Sequence, residues 1–169
     1  MGEGGRIADG RPPEANGRPR VGVFLCHCGG NISDIVDVKR AAMEALDLPG
    51  VVCSTTHMFC CSDAGQAMIE QAIREQHLNR VIVAACSPSL HELTFRRSVS
   101  RAGLNAYLFE QANIREQVSW VVEDHELATQ KTIRLIRAAV ARAAIGQCDF
   151  PRAKDAIDEI APALTALAP

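Results

Sequence analysis

The chain has 169 residues, enough for one domain with a sizeable core. A formal net charge of −2 gives no basis for a nucleic acid or an anionic membrane surface as partner, and five Phe, one Tyr and one Trp are too few for a base-stacking platform. No apolar run approaches the roughly 20 residues of a membrane span, and the amino terminus has no apolar signal core, so a cytoplasmic protein is expected.

Residues 1–19 are rich in Gly, Pro and Arg, have no hydrophobic period, and read as a disordered leader. Val21 to Leu25 reads as a short buried strand running into a Cys-x-Cys turn whose Gly29, Gly30 and Asn31 allow tight looping. Ser33 or Asp34 can cap a helix to about Leu46, with Ile35, Val38, Ala42 and Leu46 on one face, stopped by Leu48-Pro49-Gly50. Val51 to Ser54 is a second strand and His57 to Cys61 a loop. Ser62 or Asp63 then caps a helix near Ala64 to His77. Arg80 to Ala85 is the clearest buried strand, and Ser87-Pro88 after Cys86 fits a helix start, with the helix running from Leu90 to Ala102 and ending at Gly103. A fourth strand is expected at Asn105 to Phe109, a short helix at Ile114 to Val122, and a long one at Glu126 to Ala144. The order β-α-β-α-β-α-β-α-α predicts a Rossmann-like three-layer α/β domain over residues 20–146, with a four-stranded parallel sheet and helices on both faces. Residues 147–169 form a tail with a weak amphipathic helix around Ala153 to Leu164, interrupted by Pro162.

Seven Cys point to metal or redox use rather than a disulfide scaffold. Cys53 and Cys148 read as small buried hydrophobes. In a parallel sheet, Cys26 and Cys28 follow the first strand, Cys86 follows the third, and Cys60 or Cys61 lies just before the second helix. All sit at carboxyl ends of strands or amino ends of helices, where negative charge is favoured. Four converging thiolates suit zinc or an iron–sulfur cluster, and a Cys26/Cys28 pair exchanging thiol for disulfide is the main non-metal alternative. The spacing matches neither a compact ferredoxin run nor a zinc ribbon.

Longer motifs narrow the choice. Val-Gly-Val-Phe-Leu-Cys-His-Cys-Gly-Gly-Asn-Ile, Cys-Ser-Asp-Ala-Gly-Gln, Asn-Arg-Val-Ile-Val-Ala-Ala-Cys-Ser-Pro-Ser-Leu-His-Glu-Leu-Thr-Phe-Arg and Asn-Ile-Arg-Glu-Gln-Val-Ser-Trp-Val occur in this order. Together they closely resemble the amino-terminal domain of the A subunits of heterodisulfide reductases, from about Arg20 to Ala143. The resemblance implies a [4Fe–4S] cluster with ligands at Cys26, Cys28, Cys61 and Cys86. Cys61 takes precedence over Cys60 because Ser-Asp-Ala-Gly-Gln follows it. The family's flavin and ferredoxin-like domains have no counterpart in this sequence: no G-x-G-x-x-G follows a strand. FAD is therefore expected only on a partner chain. The resemblance implies an electron-transfer component, not itself a catalyst, working with a flavoprotein and other redox subunits. The alternatives are an assembly domain with zinc or no metal at the same cysteines, and a thiol–disulfide protein using Cys26 and Cys28.

Among the remaining residues, strand alternation turns His27 away from the cysteines, in a supporting or surface role. His91 is either a tuning hydrogen-bond donor or a helix-surface residue, and His57 is a solvated loop residue. Arg96 and Arg97 read as surface ion-pair formers, and the charged face of Glu126 to Arg142 as solvated. Asn113 to Gln117 with Trp120 is either a docking surface for the flavin domain or another subunit, or a polar network at the sheet's far edge. No acid–base constellation emerges.

Overall fold

The computed structural model describes residues 19–145, apart from the side chain of Ile145. The expected leader, the tail helix at 153–164 and Cys148 lie outside the described residues.

Four strands form one parallel sheet in the order β2-β1-β3-β4: β1 (Val21–Cys26), β2 (Val51–His57), β3 (Arg80–Ala85) and β4 (Phe109–Asn113). Every residue of the two central strands, β1 and β3, is buried, as a strand covered on both faces requires. Fully buried Phe24, Leu25 and Ile82 each contribute roughly 1.5–3 kcal/mol of hydrophobic stabilisation.

The connections explain the layers. The chain leaves β1 for β2 on one side, crosses back over β1 to β3, then continues to β4. Right-handed crossovers in opposite directions put their helices on opposite faces. Accordingly α1 (Val38–Ala45) packs against α4 (His125–Ile145), while α2 (Asp63–Glu75) packs against α3 (Pro88–Arg101). Asp37, Ser62 and Ser87 cap α1, α2 and α3 with side-chain oxygens that accept from Arg40, Gly65 and Ser89 amides, and Pro88 opens α3. Long-range ties hold α4 in place, among them two hydrogen bonds and the Arg40–Glu126 ion pair at 2.7 Å. The Asp37 amide donates to Thr129 Oγ1 at 3.0 Å, and buried Arg80 donates through Nε to the Ala143 carbonyl at 3.0 Å.

Several boundaries differ from expectation. The first helix begins at Val38, with Asp37 rather than Ser33 or Asp34 as cap, because residues 31–36 form turns that bury Ile32 and Val36. β2 runs three residues further than expected, to His57, because β1 offers it partners up to Cys26↔His57. β4 begins at its expected last residue: Asn105 caps a 3-10 turn at Ala106–Leu108, and pairing with β3 starts at Val81↔Phe109. The expected helix at Ile114 to Val122 is a single π-helical turn, Arg115–Ser119.

Candidate metal centre

The chain leaves β1 and β3 toward opposite edges of the sheet, so the crevice outside their carboxyl ends is the topological switch point, where parallel sheets bind ligands. Cys26 is the last residue of β1, and Cys86 directly follows β3. The β1 loop brings Cys28, and the β2–α2 loop brings Cys60 and Cys61. Two backbone bonds carry the β1–β2 pairing beyond the strands: the His27 amide to the His57 carbonyl at 2.9 Å, and the Gly29 amide to the Met58 carbonyl at 3.4 Å. They staple the two cysteine loops together.

Local backbone conformation follows from this crowding. Cys28 has a φ of 55° and Gly29 one of 61°. For a non-glycine residue that region costs roughly 1–2 kcal/mol, and such outliers cluster at functional sites. A Cβ on Gly29 would stand 2.8 Å from the Phe59 ring, so the neighbouring loop leaves no room for a side chain there. Gly65, in the first turn of α2, meets the same loop, and its Cβ would fall 2.4 Å from the Phe59 carbonyl oxygen and 2.6 Å from Cys60 Cα.

Cys26 is the electrostatic centre. Its Sγ accepts from the Cys28 amide at 3.3 Å and the Cys60 amide at 3.4 Å. The Cys60 thiol, which hydrogen-bonds to Cys26, and these amides bring the Cys26 thiol down to about 6 against the opposing effect of burial. Cys60, fully buried, is pushed up by donating to Cys26 and by desolvation. Burial raises Cys61, and raises Cys86 to about 11. The charges of these sulfurs act on one another: Cys26, Cys61 and Cys86 on Cys60, and Cys26 and Cys28 on both Cys61 and Cys86. Cys53, half-buried on β2, is raised to about 11 by burial.

One cation serves the whole group. Arg115 Nη1 donates to Cys28 Sγ at 3.2 Å, and its charge lowers the thiols of Cys26, Cys61 and Cys86. The segment Asn113 to Trp120 follows the edge strand β4 and ties Asn113, Arg115, Glu116 and Ser119 into a polar network, from which Arg115 reaches Cys28. Sequence reasoning singles out the stretch without finding this role for Arg115. The signal lies in topology: β4 neighbours β3, so the loop after β4 emerges beside the one after β3.

His27 and His57 are joined by one of the backbone bonds that staple the two cysteine loops. His27 Nε2 is 3.1 Å from Thr56 Oγ1, and burial lowers its pKa. His57 ends β2 rather than lying in a loop, is partly buried, and accepts the Phe59 amide at its Nδ1. His91 is partly buried on α3. Arg96 pairs with Glu92 at 2.6 Å and Arg142 with Glu110 at 3.1 Å, while Arg134 and Arg137 are exposed.

Chemically, the group offers several thiols with one partly buried cation and backbone donors aimed at sulfur. Among the described residues, no three Cys, His, Asp or Glu side chains stand where they could hold a single metal ion. A cubane cluster spreads its four thiolates around a larger body than one ion. Cys26, Cys28, Cys61 and Cys86 lie within electrostatic reach of one another and of Arg115, and four thiolates are the donor type such a cluster takes. Cys26 Sγ is approached by the amides of both Cys28 and Cys60, at 3.3 and 3.4 Å.

No family model matches the chain. It is 52% identical over 138 residues to the A subunit of the H(2):CoB-CoM heterodisulfide,ferredoxin reductase of Methanothermobacter thermautotrophicus, covering 81% of this chain and 21% of that protein. It is 54% identical over 130 residues to an iron-sulfur A subunit of the CoB–CoM heterodisulfide reductase of Methanopyrus kandleri, covering 76% and 20%. The iron-sulfur A subunit of the CoB–CoM heterodisulfide reductase of Methanocaldococcus jannaschii is 49% identical over 126 residues, 74% of this chain and 19% of that one. The chain thus spans about a fifth of the length of these curated relatives.

Proposed function

Proceeding from the chain's similarity to the A subunits of heterodisulfide reductases over about three quarters of its length, we propose that it is an iron–sulfur electron-transfer domain of a heterodisulfide-reductase-like oxidoreductase complex, in the cytoplasm. Cys26, Cys28, Cys61 and Cys86 hold one [4Fe–4S] cluster. The cluster supplies one-electron chemistry. The protein supplies the thiolates, the backbone donors around them and a rim near solvent from which a partner is reached. That partner is a flavoprotein, which carries the FAD, together with other redox subunits.

The observation that carries this reading is the convergence of distant cysteines at the switch point of a parallel sheet, around the Arg115 guanidinium. Relatives whose names include an iron-sulfur subunit support it. The test is anaerobic reconstitution followed by iron and labile-sulfide analysis of single variants. Cys28→Ala and Cys86→Ala are expected to lose the bound iron and the brown colour, and Cys53→Ala to keep both. Iron retained at wild-type level in both ligand variants would remove the assignment, and one zinc without sulfide would favour an assembly domain instead.

A further inference from the structure

We propose that the Arg115–Glu116 ion pair, fixed beside the cysteine rim by the π-helical turn, sets the reduction potential of the cluster those cysteines hold. This rests on the cluster reading above.

The turn is anchored so that the pair cannot swing away. The Ile114 amide donates to the Ala85 carbonyl at 2.8 Å, extending β4's pairing with β3 toward Cys86. Ile114 itself is fully buried. Ser119 Oγ donates to the Asn31 carbonyl at 2.7 Å, tying the turn to the Cys26–Cys28 loop. Asn113 Oδ1 accepts the Glu116 amide at 3.1 Å. A π-helical turn is rare and recurs at functional sites, and this one places Arg115 against Cys28 Sγ with Glu116 paired to it.

The pair is asymmetric. Glu116 Oε1 takes both Arg115 Nε, at 3.2 Å, and Nη2, at 2.8 Å. Arg115 Nη1 is left for Cys28 Sγ at 3.2 Å, and the Trp120 ring covers the guanidinium at 4.5 Å. Glu116 Oε2 is buried without a hydrogen-bond partner. The Arg115 side chain is 14% exposed and that of Glu116 27%, so water screens neither fully. The cation touches Cys28 Sγ and acts on Cys26, Cys61 and Cys86, and the carboxylate acts on Cys86 with the opposite sign.

Reduction adds one negative charge to a thiolate-ligated cluster. A nearby cation stabilises the reduced form more than the oxidised form and raises the potential, and a nearby carboxylate lowers it. The two members of the pair therefore pull in opposite directions, with the cation dominant because it is hydrogen-bonded directly to Cys28 Sγ at 3.2 Å.

The test uses the full chain, reconstituted anaerobically, with iron counted before any titration. Midpoint potentials are then read by following the reduced-cluster resonance against applied potential. Arg115→Gln is expected to shift the reduction equilibrium about tenfold toward the oxidised form, ~59 mV more negative for one electron. Arg115→Lys, which keeps the charge, is expected to restore most of that shift. Glu116→Gln is expected to move the potential the other way, by a smaller amount. A purely structural role for the pair would not produce opposite signs. If Arg115→Gln fails to fold or to load iron, the Lys and Glu116→Gln variants still decide the sign. Potentials unmoved, or moved in the same direction by loss of either charge, overturn this inference while leaving the cluster reading in place. A wild-type chain that takes up no iron overturns both.

Discussion

At the scale of single residues, the two adjacent cysteines of the β2–α2 loop divide their roles. Cys60 is fully buried, packs in the hydrophobic core and gives its proton to a hydrogen bond with Cys26. Cys61 is partly exposed and lies within the influence of Cys26, Cys28 and Arg115. Cys60→Ala is therefore expected to keep the iron of the reconstituted chain and to cost about 1–2 kcal/mol of stability, from lost packing and a small cavity. Cys61→Ala is expected to lose the iron. Thermal melts and iron analysis of the two variants check this; iron lost from the first and kept by the second would exchange the assignments. By position the sequence offers both sulfurs equally, and only the motif after Cys61 separates them. What no sequence pattern carries is the direction of a side chain in a tight loop. Neighbouring residues there can face core and rim because Phe59 and Gly65 fix how the loop lies, through contacts that depend on the assembled fold.

At the scale of elements, the cysteine loop is held against the first turn of α2 by closeness rather than by covalent links. An alanine at Gly65 would thrust its methyl into the backbone of Phe59 and Cys60. Relative to glycine, alanine normally favours a helix by about 1 kcal/mol. Here the displaced loop reverses that gain, so Gly65→Ala is expected to destabilise by about 1–3 kcal/mol and to reduce iron occupancy. Ala67→Gly, on the exposed side of the same helix, is expected to cost about 1 kcal/mol with occupancy unchanged. Equal occupancy in both variants would show that the approach of α2 does not position the loop. Hydrophobic period and turn residues identify β1, β3, α2, α3 and α4 to within about two residues at each end of their observed spans. They misplace the start of α1 and nearly the whole of β4. In both places the local polar signal is real but belongs to something shorter: Asn105 caps a 3-10 turn, and Ser33 and Asp34 stand among turns. Strand pairing, which decides where β4 lies, is set by a neighbour far along the chain.

At the scale of the whole molecule, topology does most of the chemical work. Reversing the direction of crossover between β1 and β3 opens one crevice, and that crevice collects residues from four separate loops that are distant in sequence. Alternation of strands and helices makes the parallel sheet legible, and from it the common location of the cysteines. The contribution of the loop after β4 is not legible, because strand order, unlike strand identity, leaves little trace in one sequence. Among the described residues no helix is long and apolar enough to cross a membrane. The proposed cubane cluster is held by these loops together. It is tested most directly by Mössbauer and electron paramagnetic resonance spectroscopy of the anaerobically reconstituted, iron-57-labelled chain, with metal and sulfide counted in the same sample. About four iron and about four sulfide per chain are expected, in one cluster that becomes paramagnetic on one-electron reduction. A chain that binds a single zinc, or that takes up iron without sulfide, would contradict it.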